Sequence, residues 1–262
     1  MIEMIMDMPK SYIMDCRLTE KRILNNRYFL MIFQIPFQLA DVQPGQFAQV
    51  RIDGSPTTFL RRPLSICLLT SKNELWLLVQ IAGEGSRKLS LAEPGDMVNM
   101  ILPLGKGFSK PDQTDKVLLI GGGVGVAPML ILGKQLSETG IHVSFLLGGR
   151  TESDIVLTEE FTKYGELHCT TEDGSIGEKG FVTNHSLLQT TDFNRIYTCG
   201  PKPMMQAIAK YAGEKGIECE VSLENLMACG IGACLCCVED TVEGHVCTCT
   251  EGPVFNTKLL KW

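Results

Sequence analysis

Cys229, Cys234 and Cys237 stand at C-x₄-C-x₂-C spacing within Cys229-Gly-Ile-Gly-Ala-Cys234-Leu-Cys-Cys237, and Cys247 and Cys249 follow. Thiolates at this spacing, completed by a later fourth, are the ligand pattern of a plant-type [2Fe–2S] cluster. The two glycines and the alanine between the first two cysteines suit that chemistry. They let the backbone wrap closely and aim its N–H groups at sulfur, a turn that bulky side chains would block. Cys247 and Cys249 both follow at a plausible distance for the fourth ligand. Cys249 is preferred, because it opens a Cys249-Thr-Glu-Gly-Pro turn able to return the chain to the site. Cys236, inside the loop, is then a spare.

Five clustered cysteines are also chemically able to hold structural zinc, although zinc ribbons usually use two separated C-x₂-C knuckles. A disulfide framework fits poorly, since the total of 11 is odd and crowded at one end. Cys16, Cys67, Cys169, Cys199 and Cys219 are scattered singly and read as buried, inert thiols.

A second chemical motif is Gly121-Gly-Gly-Val-Gly125-Val-Ala-Pro128. It follows the apolar run Val117 to Ile120 and precedes a helical stretch, Met129 to Leu136. Backbone amides and a helix start can there meet a pyrophosphate without interference from Cβ atoms. A tight strand-to-helix turn is the plain alternative, and the strand placement and the proline favour the nucleotide. Third, Arg62-Pro-Leu-Ser65 opens a strand with a guanidinium near a hydroxyl. That pair fits a ligand with a phosphate at one end and a hydrogen-bonding ring at the other. Gly83-Glu-Gly85-Ser86 supplies a flexible turn ahead of a short helix, a second pyrophosphate cradle.

The elements that must position these motifs fall into three textures. Through the first hundred or so residues, Tyr28 to Phe33, Phe47 to Ile52, Leu64 to Leu69 and Leu75 to Ile81 are short β-rich runs with turn residues between them. Pro94-Gly95-Asp96 then introduces a strand ending at Leu102. About six strands of this kind predict a small antiparallel barrel. From Lys116 the pattern becomes strand, helix, strand, with His142 to Leu147 and Ile196 to Cys199 as further strands and Pro203 to Tyr211 as a helix, which predicts a parallel α/β sheet. A cysteine-rich tail begins near Gly213. The expected fold class is therefore α+β and multidomain, with boundaries at 1–112, 113–212 and 213–262.

The chain has 262 residues, 44% of them hydrophobic, and a net charge of −6. That is enough apolar material for more than one core. With no basic run, nothing points to nucleic acid or an anionic membrane. Met1-Ile-Glu-Met-Ile-Met-Asp-Met carries acidic residues where a signal peptide carries basic ones, and no apolar run there is long enough to span a bilayer. A cytoplasmic address is expected.

Taken in order, Arg62-Pro-Leu-Ser65, Gly85-Ser86, Leu104-Gly-Lys-Gly-Phe108, the Gly121 loop and Cys199-Gly-Pro-Lys-Pro-Met204 resemble the ferredoxin–NADP reductase superfamily over nearly the whole chain. The segment from Met227 to Phe255 sharpens the likeness to the electron-transfer subunits of class 1B dihydroorotate dehydrogenases, and Thr171-Glu-Asp-Gly-Ser175 with Gly180-Phe-Val-Thr183 is similar to their nucleotide domain. The resemblance implies FAD, a [2Fe–2S] cluster and NAD, and a partner: an FMN-containing catalytic subunit that oxidises dihydroorotate, two copies of each chain forming a heterotetramer.

For the site, the resemblance implies that Arg62 holds FAD phosphate, Pro63 and Leu64 line the flavin and Ser65 sits at its ring as the catalytic residue. It implies further that Leu78, Val79 and Gln80 pass along the cofactor, and that Gly85 and Ser86 meet the pyrophosphate. Gly122, Gly123, Val124, Gly125 and Val126, with Cys199, Gly200 and Pro201, would frame NAD. Cys229, Cys234, Cys237 and Cys249 would ligate iron. Leu64 replaces a tyrosine that stacks on the flavin in many reductases of the superfamily.

Near the second strand of the sheet, Arg150 would welcome a 2′-phosphate while Glu152 and Asp154 would repel one, so NAD is expected over NADP. Leu226, Met227, Ile231 and Leu235 around the ligands read either as a docking patch or as packing. Two rival functions remain at this level: the small subunit of an NAD(P)H–ferredoxin transhydrogenase or sulfide dehydrogenase, and a zinc-stapled flavin-binding sensor or docking module.

Overall fold

A computed structural model describes residues 11–39 and 41–262; the Met1 to Met8 segment read above lies outside them. Tyr12–Ile23 (β1) alternates exposed and buried residues, its Met14, Cys16 and Leu18 turning inward. It pairs antiparallel with Tyr28–Gln34 (β2). Phe47–Val50 (β3), Arg62–Leu69 (β4), Glu74–Gln80 (β5) and Met97–Leu104 (β6) complete a closed barrel in the order β1-β2-β5-β4-β3-β6. The short helix α1, Glu84–Leu89, bridges β5 and β6. Closure gives each barrel strand a neighbour on both sides.

The second unit runs Val117–Gly122 (β7), Val126–Glu138 (α2), Val143–Gly149 (β8), Thr158–Phe161 (α3), Glu166–Thr171 (β9), Glu178–Lys179 (β10), Leu187–Thr190 (α4), Arg195–Cys199 (β11), Lys202–Lys215 (α5) and Glu218–Ser222 (β12). Strand β7 is buried at every position, as expected for a sheet covered on both faces. The tail adds a two-stranded ribbon, Val238–Thr241 (β13) with Gly244–Cys247 (β14), and a last strand, Val254–Asn256 (β15).

The large sheet has the order β10-β9-β8-β7-β11-β12-β15, parallel throughout except for β15, which runs antiparallel to β12. The chain leaves β7 toward β8 on one side and returns on the other as β11. The crevice at the carboxyl ends of β7 and β11 is thus the switch point where open α/β sheets bind ligands. The boundary expected at 212/213 falls inside α5, and β12 belongs to the sheet. We propose that the nucleotide unit extends to Ser222 and the cysteine-rich module begins at Leu223.

Barrel and sheet share one core. Tyr28, Leu30, Cys67 and Leu78 on the barrel's outer face join Val126, Ala127 and Leu130 of α2 in a single buried cluster. The cysteine module packs on the other side of the barrel, where Phe47 and Leu104 share an apolar cluster with Met227, Cys237 and Cys249. No helix among the described residues is long and apolar enough to cross a membrane.

Candidate functional site

Strands β4 and β5 pair from Leu69↔Leu75 to Ile66↔Leu77, and their ladder stops there. Beyond it, Arg62 to Ser65 pair only with β3 and Leu78 to Gln80 only with β2. Two strand edges therefore face each other across a gap, with backbone donors and acceptors free for a planar heterocycle. Alternation along β4 puts Leu64 and Ile66 toward the barrel interior and Ser65 on the outer face with Cys67, toward the nucleotide unit. Leu64 thus lines the inside, and its side chain offers no stacking surface. Leu78 and Val79 are both buried in apolar cores, so only their backbone can meet a ligand there; Gln80 keeps a half-exposed side chain.

Arg62 and Gly85, distant in sequence, are brought together: a Cβ on Gly85 would lie 2.8 Å from Arg62 Nε. The guanidinium donates to the carbonyls of Leu60 (3.0 Å) and Arg61 (3.3 Å) and stays half-exposed, leaving donors for an anion. Ser86 differs from expectation. Its Oγ accepts from the N–H groups of Ala82 and Gly83 and donates to the Gly83 carbonyl, so the hydroxyl holds the turn and only its backbone is left for a phosphate. Arg61 faces away, donating to the Gln49 and Asn99 carbonyls and to Asn99 Oδ1.

A cleft of about 560 Å³ opens between barrel and sheet at the switch point. Gly122, Gly123, Val124 and Pro201 line it, as do Tyr28 and Gln80 from the barrel. Gly125, Val126 and Cys199, expected to frame the nucleotide, do so only indirectly. A Cβ on Gly125 would lie 2.6 Å from the Cys199 carbonyl carbon, Val126 belongs to the core, and Cys199 is fully buried. Gly200, at φ +155°, and Gly122 let the ends of β11 and β7 close in, with Met204 against both.

Sequence reasoning missed two carboxylates here. Glu224 lines the cleft beside Cys199; it reaches solvent through the mouth, yet the surrounding protein withdraws enough water to raise its carboxyl above the ordinary range. Glu172, just past β9, lines the cleft with Arg150. Asp154 is buried and ion-paired to Arg27 at 2.7 Å while accepting from the Arg150 N–H, so it ties barrel to sheet. Glu152 is exposed outside the lining. Glu172 and Asp154 both line the cleft, and of the two only Glu172 is exposed there; its place past β9 follows from the strand order rather than from any local motif.

In the tail, all four expected ligand sulfurs accept backbone N–H groups. Cys229 Sγ accepts from Ile231 (3.4 Å) and Ala233 (3.3 Å), Cys234 Sγ from Cys229 (3.5 Å), Cys237 Sγ from Cys249 (3.4 Å) and Cys249 Sγ from Gly232 (3.1 Å). Gly230 and Gly232 both have positive φ, +74° and +80°, which lets the loop turn its amides inward. Cys247 touches Cys237, but its sulfur accepts no N–H among the described residues. Cys236 is exposed and its thiol points to the Leu226 carbonyl.

Cys229 lies against Cys234, and Cys237 lies against both Cys249 and Cys247. Among the described residues no three His, Cys, Asp or Glu side chains converge on one point as a mononuclear ion requires. Backbone N–H groups aimed at four sulfurs suit a sulfur-rich [2Fe–2S] group. Burial, then the Cys237 thiol beside it, pushes Cys249 up to about 12, so its deprotonation is left to the metal. For Cys229, burial is outweighed by the Ile231 N–H and the Cys234 thiol, which bring it down to about 6. None of the 11 cysteines is in a disulfide. Leu226, Ile231 and Leu235 are exposed, whereas Met227 is buried against the barrel and belongs to packing.

A strand-edge gap with an arginine beside it, a switch-point cleft and a thiolate loop on one chain define an iron–sulfur flavoprotein reductase that uses a nicotinamide nucleotide. Residues 119–210 match the family model described as the oxidoreductase NAD-binding domain, and 224–261 that of the iron–sulfur cluster binding domain of dihydroorotate dehydrogenase B. The electron transfer subunit of dihydroorotate dehydrogenase B (NAD(+)) from Listeria monocytogenes is 42% identical, over 83% of this chain and 87% of its own; that from Shouchella clausii is 39% identical over 81% and 84%. The chain belongs to this family of electron transfer subunits, and FAD, a [2Fe–2S] cluster and NAD are its cofactors.

A solved chain from NADH-dependent reduced ferredoxin–NADP oxidoreductase, described for flavin-based electron bifurcation, superposes with a TM-score of 0.85 at 28% identity, covering 94% of this chain and 90% of its own. The cytochrome b5 reductase domain of Ulva prolifera nitrate reductase, at 20% identity and a TM-score of 0.65, shares the fold.

Proposed function

We propose that this chain carries electrons from a dihydroorotate-oxidising, FMN-containing partner subunit to NAD⁺, in the step of pyrimidine biosynthesis that forms the pyrimidine ring's double bond. When bound, the cluster passes single electrons, the nicotinamide takes a hydride, and FAD converts between the two. The observation that carries the reading is the position of β3. One edge of β3 pairs with the strand of the flavin gap, Phe47 opposite Ser65, and the same Phe47 shares a cluster with Cys237 and Cys249. Strand β4 edges the proposed flavin gap on one side and pairs on its other side with β3, which carries the apolar contact to the cysteine loop.

In this reading Arg62 binds the FAD phosphate over Gly85, the edges of β4 and β5 hold the ring, and Ser65 orients it on the face turned toward the nucleotide. Gly122, Gly123, Val124 and Pro201 seat NAD, Glu224 sits at the nicotinamide end, and Glu172 accepts from the adenosine ribose. Cys229, Cys234, Cys237 and Cys249 hold iron, and the exposed Leu226, Ile231 and Leu235 meet the partner in a cytoplasmic assembly with two copies of each chain. The identities of 38–42% to dihydroorotate dehydrogenase B subunits, against 28% to the ferredoxin–NADP oxidoreductase chain, favour this partner over a transhydrogenase.

The test is turnover. The purified chain should oxidise NADH with an artificial dye and show no dihydroorotate oxidation until a second subunit is added. Dihydroorotate turnover by this chain alone would overturn the reading.

A further inference from the structure

Alternation along β3 sends Ala48 and Val50 into the barrel core and Phe47 and Gln49 outward to the cysteine module. Phe47 meets it on the Cys237 and Cys249 side. Gln49 meets it at Gly230, next to Cys229: a Cβ on Gly230 would lie 2.5 Å from Gln49 Nε2. The contact is sealed. Gln49 is fully buried, and neither its Nε2 nor its Oε1 has a hydrogen-bond partner among the described residues.

A buried carboxamide with both polar atoms unpaired is costly, and an apolar residue of similar size would fill the space without that penalty. The backbone of Gln49 is fixed in place, its strand paired to Pro63 and Ile101 and its carbonyl held by Arg61. The side chain is therefore held against the ligand loop, between the flavin gap and Cys229. From this geometry we propose that the Gln49 carboxamide is a hydrogen-bond donor to the iron–sulfur group on its Cys229 side, and so sets how readily that group accepts an electron. The proposal rests on the assignment of the cysteine loop to a [2Fe–2S] cluster. An N–H donor stabilises the extra negative charge of the reduced cluster, so its loss lowers the reduction potential.

The test is an EPR-monitored redox titration of the full chain with its cofactors, wild type against Gln49→Leu. At a fixed poise the reduced-to-oxidised ratio should fall about tenfold in Gln49→Leu, which is about 59 mV for a one-electron couple, with iron and acid-labile sulfide unchanged. A ratio unchanged within about twofold overturns the proposal, and a variant merely more stable to urea with the wild-type potential assigns Gln49 to packing. If Gln49→Leu fails to keep its cluster, the wild type decides. Labelled with ¹⁵N at glutamine side chains, its reduced cluster should show an amide-nitrogen coupling in pulsed EPR, and absence of that coupling overturns the proposal. A wild type without iron and labile sulfide overturns the cluster assignment as well, which separates the two failures.

Discussion

Arg62→Ala tests the flavin site most directly, because its effect can be worked from neighbours already described. Arg62 is half-exposed, sits over Gly85 and makes, among the described residues, two hydrogen bonds, both to backbone carbonyls of the preceding residues. Truncation leaves those carbonyls free to meet water, so the fold should lose little. What is lost is a charge-assisted contact to a phosphate, roughly 1.5–3 kcal/mol. Partial exposure argues for the lower half of that range, about tenfold to fortyfold in FAD affinity. Arg61→Ala is the internal control. Its guanidinium ties β3 to β6 through Gln49 and Asn99, so its loss should lower the urea midpoint and leave FAD affinity within about threefold once folded. Titrating FAD into the stripped proteins and following flavin fluorescence gives both affinities. Full FAD retention by Arg62→Ala, or a larger loss in Arg61→Ala than in Arg62→Ala, would refute the reasoning.

The cysteine assignment predicts that Cys249→Ser bleaches or greatly destabilises the visible cluster spectrum while Cys247→Ser and Cys236→Ser keep it; the reverse pattern would move the fourth ligand to Cys247. If Glu172 reads the ribose, wild type should prefer NADH in steady-state rates and Glu172→Gln should narrow that preference toward NADPH, whereas an unchanged ratio would remove Glu172 from specificity. The raised carboxyl of Glu224 gives a stability with a definite sign. The folded chain holds that proton more tightly than the unfolded chain, so the contribution is complete below the ordinary glutamate range and is lost as pH rises through the raised value. Urea midpoints measured across that window should fall with pH in wild type more steeply than in Glu224→Gln, and parallel profiles would show that Glu224 is solvated like a free carboxylate.

Much of this protein is legible in one dimension, for identifiable reasons. The ligand loop can be read because cluster binding needs specific atoms, thiolates, at fixed short spacing, with glycines where φ must be positive, as at Gly230 and Gly232. Strands β2 to β6 and the β7–α2 turn are legible because local burial imposes local patterns. By contrast β1 escaped, since its outward positions carry Asp15, Arg17 and Glu20 and its inward ones include Met14 and Cys16, a mixture with no β-rich run. The boundary read near residue 213 falls inside α5, and β12, recognisable only by the strand it pairs with, β11, lies beyond it.

Tertiary structure alone decided what meets what. Pairing ends at Ile66↔Leu77, and that end opens the flavin gap; no property of either strand announces it. Strand order puts the carboxyl ends of β7 and β11 together in a cleft that Glu172 and Glu224 also line, and there Asp154 is ion-paired to Arg27. Cys249 rather than Cys247 receives an amide from the ligand loop only once the β13–β14 ribbon has folded back. The sequence determined which atoms were available for the chemistry, because ligand identity is a local property. Their distances depended on long-range pairing and packing, which no single segment encodes.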